Sequence, residues 1–148
     1  MIKTFSGEHR WLSNFYESPL SVMGIPFLNS EAAYQACKTT DLQERKTFSS
    51  LTAGASKRLG RKVSLRVGWD DILKVECMEL CLRAKFLNPT LSAKLIQTKN
   101  EKLIEGNTWG DTYWGVSEGK GENVLGRLLM SLRRDLQRNL NTGKVTNA

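Results

Sequence analysis

The sequence predicts an α+β fold, a single compact domain that is mostly helical with a small β-sheet. Three observations carry this. Val124, Leu125, Leu128, Leu129, Leu132, Leu136 and Leu140 hold one apolar face over five helical turns. Two short apolar runs, 20–23 and 25–28, flank Gly24 as the arms of a hairpin or tight bend do. The chain has 148 residues, which fits one domain.

The elements follow in order. Residues 2–5 read as a short strand, followed by the hairpin about Gly24. Ser30 has the chemistry of an N-cap and opens a helix over 31–39. Asp41 caps a second helix running toward Leu51. A third, over 55–59, stops at Gly60. Ile72, Val75, Met78, Glu79, Leu82 and Phe86 keep helical spacing, with the apolar members as one stripe, until Asn88-Pro89 ends that helix. A short helix over 90–98 and a strand over 103–105 precede a Gly- and Trp-rich loop, 107–122. The last helix carries Arg127, Arg133, Arg134 and Arg138 opposite its leucines. The domain is expected to span 1–140, with 141–148 a flexible tail of small polar residues.

Composition narrows the partners. A net charge of +7 calls for an anionic one, such as nucleic acid or a phosphorylated small molecule. No apolar run approaches the roughly 20 residues that span a bilayer, so no membrane partner is expected. The first residues lack the apolar stretch of a secretory signal, and the cysteine count is three, so a cytoplasmic location without disulfides is expected. Cys37, Cys77 and Cys81 contain no C-x-x-C pair and His9 stands alone, so neither a metal nor a cofactor is expected.

The most chemical stretch is the helix opened by Ser30. Glu31, Tyr34, Gln35 and Lys38 fall at i, i+3, i+4 and i+7 and share one face. Ala32, Ala33, Ala36 and Cys37 make the other, small enough to pack close to a core. The polar face is either a site or a solvated surface with a charge pair. In the loop, Trp109, Tyr113 and Trp114 surround Asp111. They either line a pocket, with Trp114 and Tyr113 stacking on a base, or anchor the loop. Gly119, Gly121 and Asn123 lead straight into the last helix, as a phosphate cradle or as a simple glycine turn. Asn14, Phe15 and Arg61 add donors and an aromatic ring.

Taken in order, these pieces resemble one family. Ser13-Asn14-Phe15, Ser30-Glu31, Tyr34-Gln35-Ala36-x-Lys38, Gly60-Arg61, Trp69-Asp70, Arg83-Ala84-Lys85-Phe86, Asp111-x-x-Trp114-Gly115, and Gly119-Lys120-Gly121-x-Asn123-x-Leu125-Gly126-x-x-Leu129-Met130 are similar to the YbiA-like N-glycosidase pattern of the NADAR (NAD- and ADP-ribose-associated) superfamily. The resemblance runs from Phe5 to Leu136. It departs at Ala32, where the family usually has histidine after the glutamate; Ala32 falls on the small-residue side of the helix.

The resemblance implies a YbiA-like fold and a hydrolase that cuts ribose–nitrogen bonds. The implied substrates are ribosylamino-pyrimidine intermediates of riboflavin synthesis or ADP-ribose on guanine bases. The implied partners are therefore an ADP-ribose-type or ribosylamino small molecule, or ADP-ribosylated nucleic acid. The alternative is a binding module for ADP-ribose or nucleic acid without turnover. Such a cleavage builds positive charge at C1′ and negative charge on the leaving nitrogen. Glu31 and Asp111 are the candidate carboxylates for these two tasks. A lysine amine can instead attack C1′ and form a Schiff base. Lys38 is the first candidate and Lys85 the second. Asn14, Phe15, Tyr34, Gln35, Arg61, Trp69, Trp114, Gly121 and Asn123 are the candidate substrate-binding residues. The sequence leaves the lysine and direct-water routes open.

Overall fold

Alternation of side chains builds the first element seen in the computed structural model, which describes residues 1–142. Strand β1 (Glu17–Val22) buries every second residue, as does β2 (Ile25–Asn29), and the two pair antiparallel with Leu20 opposite Phe27 and Val22 opposite Ile25. Met23 and Gly24 turn the chain with φ of 56° and 73°, the doubly positive pattern of a two-residue hairpin loop. β1 starts earlier than expected and carries a bulge between Glu17 and Leu20, where Pro19 has no N–H to give to the ladder.

The hairpin belongs to a unit formed by Asn14–Leu87. Helix α1 (Ser30–Ala36) follows β2 directly, and its cap is Asn29, not Ser30: the Asn29 side chain accepts from the Ala32 amide at 2.8 Å. Ser30 is freed to donate its hydroxyl to Asn14 Oδ1 at 2.8 Å. α1 ends before the expected Thr39 because Arg66 takes over its last carbonyls. The Arg66 amide donates to Lys38 O at 2.8 Å and Nη1 to Cys37 O at 3.3 Å.

Asp41 caps α2 (Leu42–Thr47) as expected, accepting from the Gln43 and Glu44 amides, and a 3-10 turn (Phe48–Ser50) follows. Helix α3 (Ala53–Leu59) is capped by Thr52 and stops at Gly60. A π turn (Trp69–Leu73) leads into α4 (Lys74–Lys85). Its buried face is Cys77, Met78, Cys81, Leu82 and Lys85; of the expected apolar stripe, Met78, Leu82 and Phe86 are buried and Val75 is partly covered. Ile72 lies in the π turn, outside the α-helical period, and is exposed.

The three cysteines meet in this unit, all buried, with the Cys37 thiol bonded to Cys77 and Cys81. The bond to Cys77 lowers the Cys37 pKa; the bond to Cys81 and burial raise it, for a net rise to about 12. That thiol is unreactive near neutral pH.

The second unit combines Met1–Ser13 with the described residues from Asn88 on. Residues 2–5 and 103–105 are not strands: Ile2 and Leu103 make one isolated parallel bridge, and a 3-10 helix (Gly7–Leu12) follows residues 2–5. Asn88 caps α5 (Pro89–Gln97) with Pro89 in its first turn. Inside the expected loop, β3 (Gly106–Asn107) pairs in parallel with β4 (Val116–Ser117).

Helix α6 (Val124–Asn141) buries Leu125, Leu129 and Leu132. The apolar face emerges toward its end, where Leu140 is exposed. Arg133, expected on the solvent side, is buried and donates to Thr98 Oγ1 at 2.8 Å. Of the expected tail, Asn141 is still helical, and 143–148 lie outside the described residues. No described helix is long and apolar enough to cross a membrane. The α+β class, mostly helical with small sheets, is the one expected.

Asn123 ties this unit together. It precedes α6 with φ of 52°, its Oδ1 accepts from the Glu105 amide at 2.9 Å, and its Nδ2 donates to Leu103 O at 2.9 Å. Asn123→Ala strands both buried backbone partners and keeps the costly backbone angle. It is expected to lose roughly 2–4 kcal/mol, measured as a lower denaturant midpoint with an unchanged slope.

Candidate active site

The site is assembled on α1 by burial. All seven residues of the helix are buried, so its polar side chains must be satisfied within the protein. Asn14 fixes the head: its carbonyl accepts the Glu31 amide at 3.1 Å, and its Nδ2 lies 3.3 Å from Met78 Sδ. With its Oδ1 accepting from Ser30, Asn14 holds the helix that carries Glu31. Its expected contact with substrate would have to compete with these bonds.

Glu31 is 8% exposed and accepts Gln35 Nε2 on its Oε2 at 2.6 Å. Tyr34 packs on Trp69 with ring centroids 5.4 Å apart, both rings buried. Burial first, then the Glu31 charge, pushes the Tyr34 phenol up, so it stays a neutral hydroxyl. The expected polar face is thus an interior one and not a solvated surface. Ala32 is fully buried beside Ala33, on the small-residue side.

Lys38 sits two residues past the end of α1 and is half-buried. Burial holds its amine below the ordinary lysine range. The Glu31 charge pulls it back up, Arg61 pushes it further down, Asp70 raises it, and Lys57 lowers it. Two carboxylates, a second amine and a guanidinium therefore act on Lys38, and the fold brings together the Glu31, Lys38 and Arg61 picked from the sequence. Asp70 and Lys57 were missed. Asp70 follows Trp69 in the quoted motif, and Lys57 lies four residues before Arg61, at helical spacing. Lys57 Nζ also sits 5.9 Å from the centroid of the half-exposed Phe15 ring.

Lys85 is 1% exposed, with Nζ 5.8 Å from the Tyr16 ring centroid and 5.4 Å from that of Phe86. Burial pushes its amine down to about 7. Unlike half-buried Lys38, it has almost no exposed surface for a substrate to meet.

Asp111, Trp114, Gly121 and Asn123 belong to the other unit. Asp111 Oδ1 accepts the amides of Tyr113 at 3.1 Å and Trp114 at 2.9 Å, which makes it the organiser of its loop. The phosphate reading of the α6 start meets a physical obstacle. The amides of Glu122, Asn123, Val124 and Leu125 already donate to the carbonyls of Thr112, Gly115, Tyr113 and Trp114. The aromatic loop caps this helix and occupies these four donors. Gly121, at φ of 150°, is required because a Cβ would overlap Gly115 O.

Comparison with known proteins bears on the whole chain. The NADAR domain pattern matches residues 3–137, running through both units. N-glycosidase YbiA of Escherichia coli strain K12 is 38% identical over 136 residues, covering 88% of this chain and 84% of that protein. A riboflavin biosynthesis protein of Vibrio vulnificus strain YJ016 is 37% identical over 134 residues, and the chain spans only 36% of its length. The NMR structure of E. coli YbiA superposes with a TM-score of 0.81 at 35% identity, covering 94% of this chain and 88% of that one. With a family pattern that covers nearly all of its residues and a matching fold, the chain belongs to the NADAR domain family.

Proposed function

We propose that the chain is an N-glycosidase that hydrolyses the bond between ribose C1′ and an exocyclic amine, with Lys38 as nucleophile and Glu31 as the acid–base group. The observation that carries the reading is the Lys38 amine, held below the ordinary lysine range by burial and by Arg61 while the Glu31 carboxylate acts on it. A neutral amine is a nucleophile; a protonated one is not. The names of the relatives, N-glycosidase and riboflavin biosynthesis protein, agree with the bond type.

The alternative pairing of Glu31 with Asp111 is less well supported, because Asp111 Oδ1 already holds two loop amides. In the lysine route the C1′–ring-oxygen bond breaks as the proton of the exocyclic nitrogen passes to the ring oxygen, which leaves an imine at C1′. The Lys38 amine adds to C1′, its two protons pass to the exocyclic nitrogen, and the bond from C1′ to that nitrogen breaks, releasing the free amine and leaving a Lys38–C1′ imine. Water adds to this imine, with its proton relayed through the Glu31 carboxylate to the Lys38 nitrogen. The proton of the new C1′ hydroxyl follows the same path as the C1′–Lys38 bond breaks, which restores the neutral amine and the Glu31 carboxylate and releases the ribose aldehyde to reclose. The basic groups beside the site, Arg61 and Lys57, suit a substrate that carries phosphate. Ribosylamino-pyrimidine phosphates and ADP-ribose on guanine are the two substrate classes to be compared.

Borohydride added during turnover is expected to trap the imine, adding the mass of the ribosyl fragment to the peptide that contains Lys38. Lys38→Arg keeps the charge and should lose both trapping and turnover. A fully active enzyme with no adduct would remove the lysine route. An adduct on Lys85 would transfer the role. Glu31→Gln should stay folded and lose roughly 100- to 10,000-fold in kcat, checked by release of the free base.

The pH profile supplies an independent check. Because the reacting amine must be neutral, kcat/KM should rise with pH along a limb below the ordinary lysine pKa. Arg61→Gln removes a cation that pushes Lys38 down, so the limb should move to higher pH. A limb unmoved by Arg61→Gln would dissociate Arg61 from the amine.

A further inference from the structure

Gln35 is 4% exposed, yet only one end of its carboxamide is satisfied. Nε2 donates to Glu31 Oε2 at 2.6 Å. Oε1 is fully buried and has no hydrogen-bond partner among the described residues. A buried acceptor without a donor is destabilising, and a fold that retains one does so for a reason located elsewhere in the same group.

The seat of the carboxamide shows how the arrangement is held. Gly60 lies directly against it: a Cβ there would overlap Gln35 Oε1 and come within 2.6 Å of Cδ. Gly60 has φ of −59°, which any residue adopts, so its missing side chain serves the close approach and not the backbone. Turning the amide over would press its carbonyl against a carboxylate oxygen, acceptor against acceptor. The donor end therefore belongs on Glu31.

We infer that Gln35 is a positioning residue: seated against Gly60, it keeps the Glu31 carboxylate ionised and in one orientation. The inference deepens the reading of Glu31 as the acid–base group and rests on it for its catalytic meaning. The ionisation itself can be read in the free protein. A carboxamide that merely spaced α1 from α3 would leave the titration of Glu31 alone, whereas a donor to the charged form lowers its pKa.

The test is a carboxyl-carbon NMR titration of Glu31 with the full chain. In the wild type, the Gln35 side-chain amide protons should shift with pH at the same midpoint as the Glu31 carboxyl carbon. Gln35→Met, of similar volume and without a donor, should raise that midpoint by roughly one to two pH units. The lower acid limb of kcat/KM, below the one set by the Lys38 amine, should move up by the same amount. Gly60→Ala should unseat the amide and shift the midpoint in the same direction. In the Gln35→Ala background, which empties the seat, adding Gly60→Ala should shift it little further. If Gly60→Ala does not fold, the wild-type amide titration and Gln35→Met decide. An unchanged Glu31 midpoint in Gln35→Met overturns the inference whatever the activity. A raised midpoint in an enzyme whose Glu31→Gln form stays fully active would leave Gln35 as the group that ionises Glu31 and would remove Glu31 from the chemistry.

Discussion

A helix buried on every side is ordinarily apolar all round, because a polar group taken from water must find its partner inside. α1 breaks this pattern with Ser30, Glu31, Tyr34 and Gln35, all buried. Much of the surrounding unit follows from that one constraint. Asn14 takes the Ser30 hydroxyl and the Glu31 amide, Gln35 takes the carboxylate, Trp69 covers Tyr34, and Arg66 closes the last carbonyls. Ala32, Ala33 and Ala36 let neighbouring elements come close enough to supply those partners. The contacts that seal this part of the core are thus the same ones that surround the Glu31 carboxylate.

The α6 region shows the same economy with a different outcome. Glycines before a helix, next to aromatics and an aspartate, can mean a phosphate cradle or a tightly folded loop. Four backbone amides decide between them. Each amide from Glu122 to Leu125 has a carbonyl of the 112–115 loop as its acceptor, and Asp111 folds that loop by binding the next amides along it. The positive end of the helix is neutralised from within by these carbonyls.

What the sequence made legible was set by period and local chemistry. The leucine face of α6, the hairpin about Gly24 and the Asp41 cap are short-range patterns, and each appears where expected. The Glu31, Gln35 and Lys38 spacing was equally readable, since one helical turn fixes which side chains meet. The misses are long-range. Asn29 displaced Ser30 as the cap because Asn14, distant in sequence, claims the Ser30 hydroxyl. Arg133 reads as a surface residue until Thr98 is seen to meet it. Ile72 fell off the α4 stripe because it lies in a π turn that alters the period before that helix. The burial of the polar face of α1 had no signature in spacing alone; the same residues could have faced water.

Lys38 and Lys85 show why a lowered pKa alone does not identify a nucleophile. Burial is the first cause in both, and at Lys85 the amine is down to about 7 with burial as the cause. Lys85 is a core side chain between two aromatic rings, so the neutrality gained from burial comes at the expense of access. Lys38 is only half-buried, and part of its shift comes from Arg61 and Lys57, charges that also suit an anionic substrate. A bound phosphate would offset those cations and raise the Lys38 pKa, while exclusion of water by the same substrate would lower it. The charge state of Lys38 would therefore follow what binds beside it, whereas that of Lys85 is set by the core. The Lys38 amine has surface open to a binding molecule and the Lys85 amine has almost none.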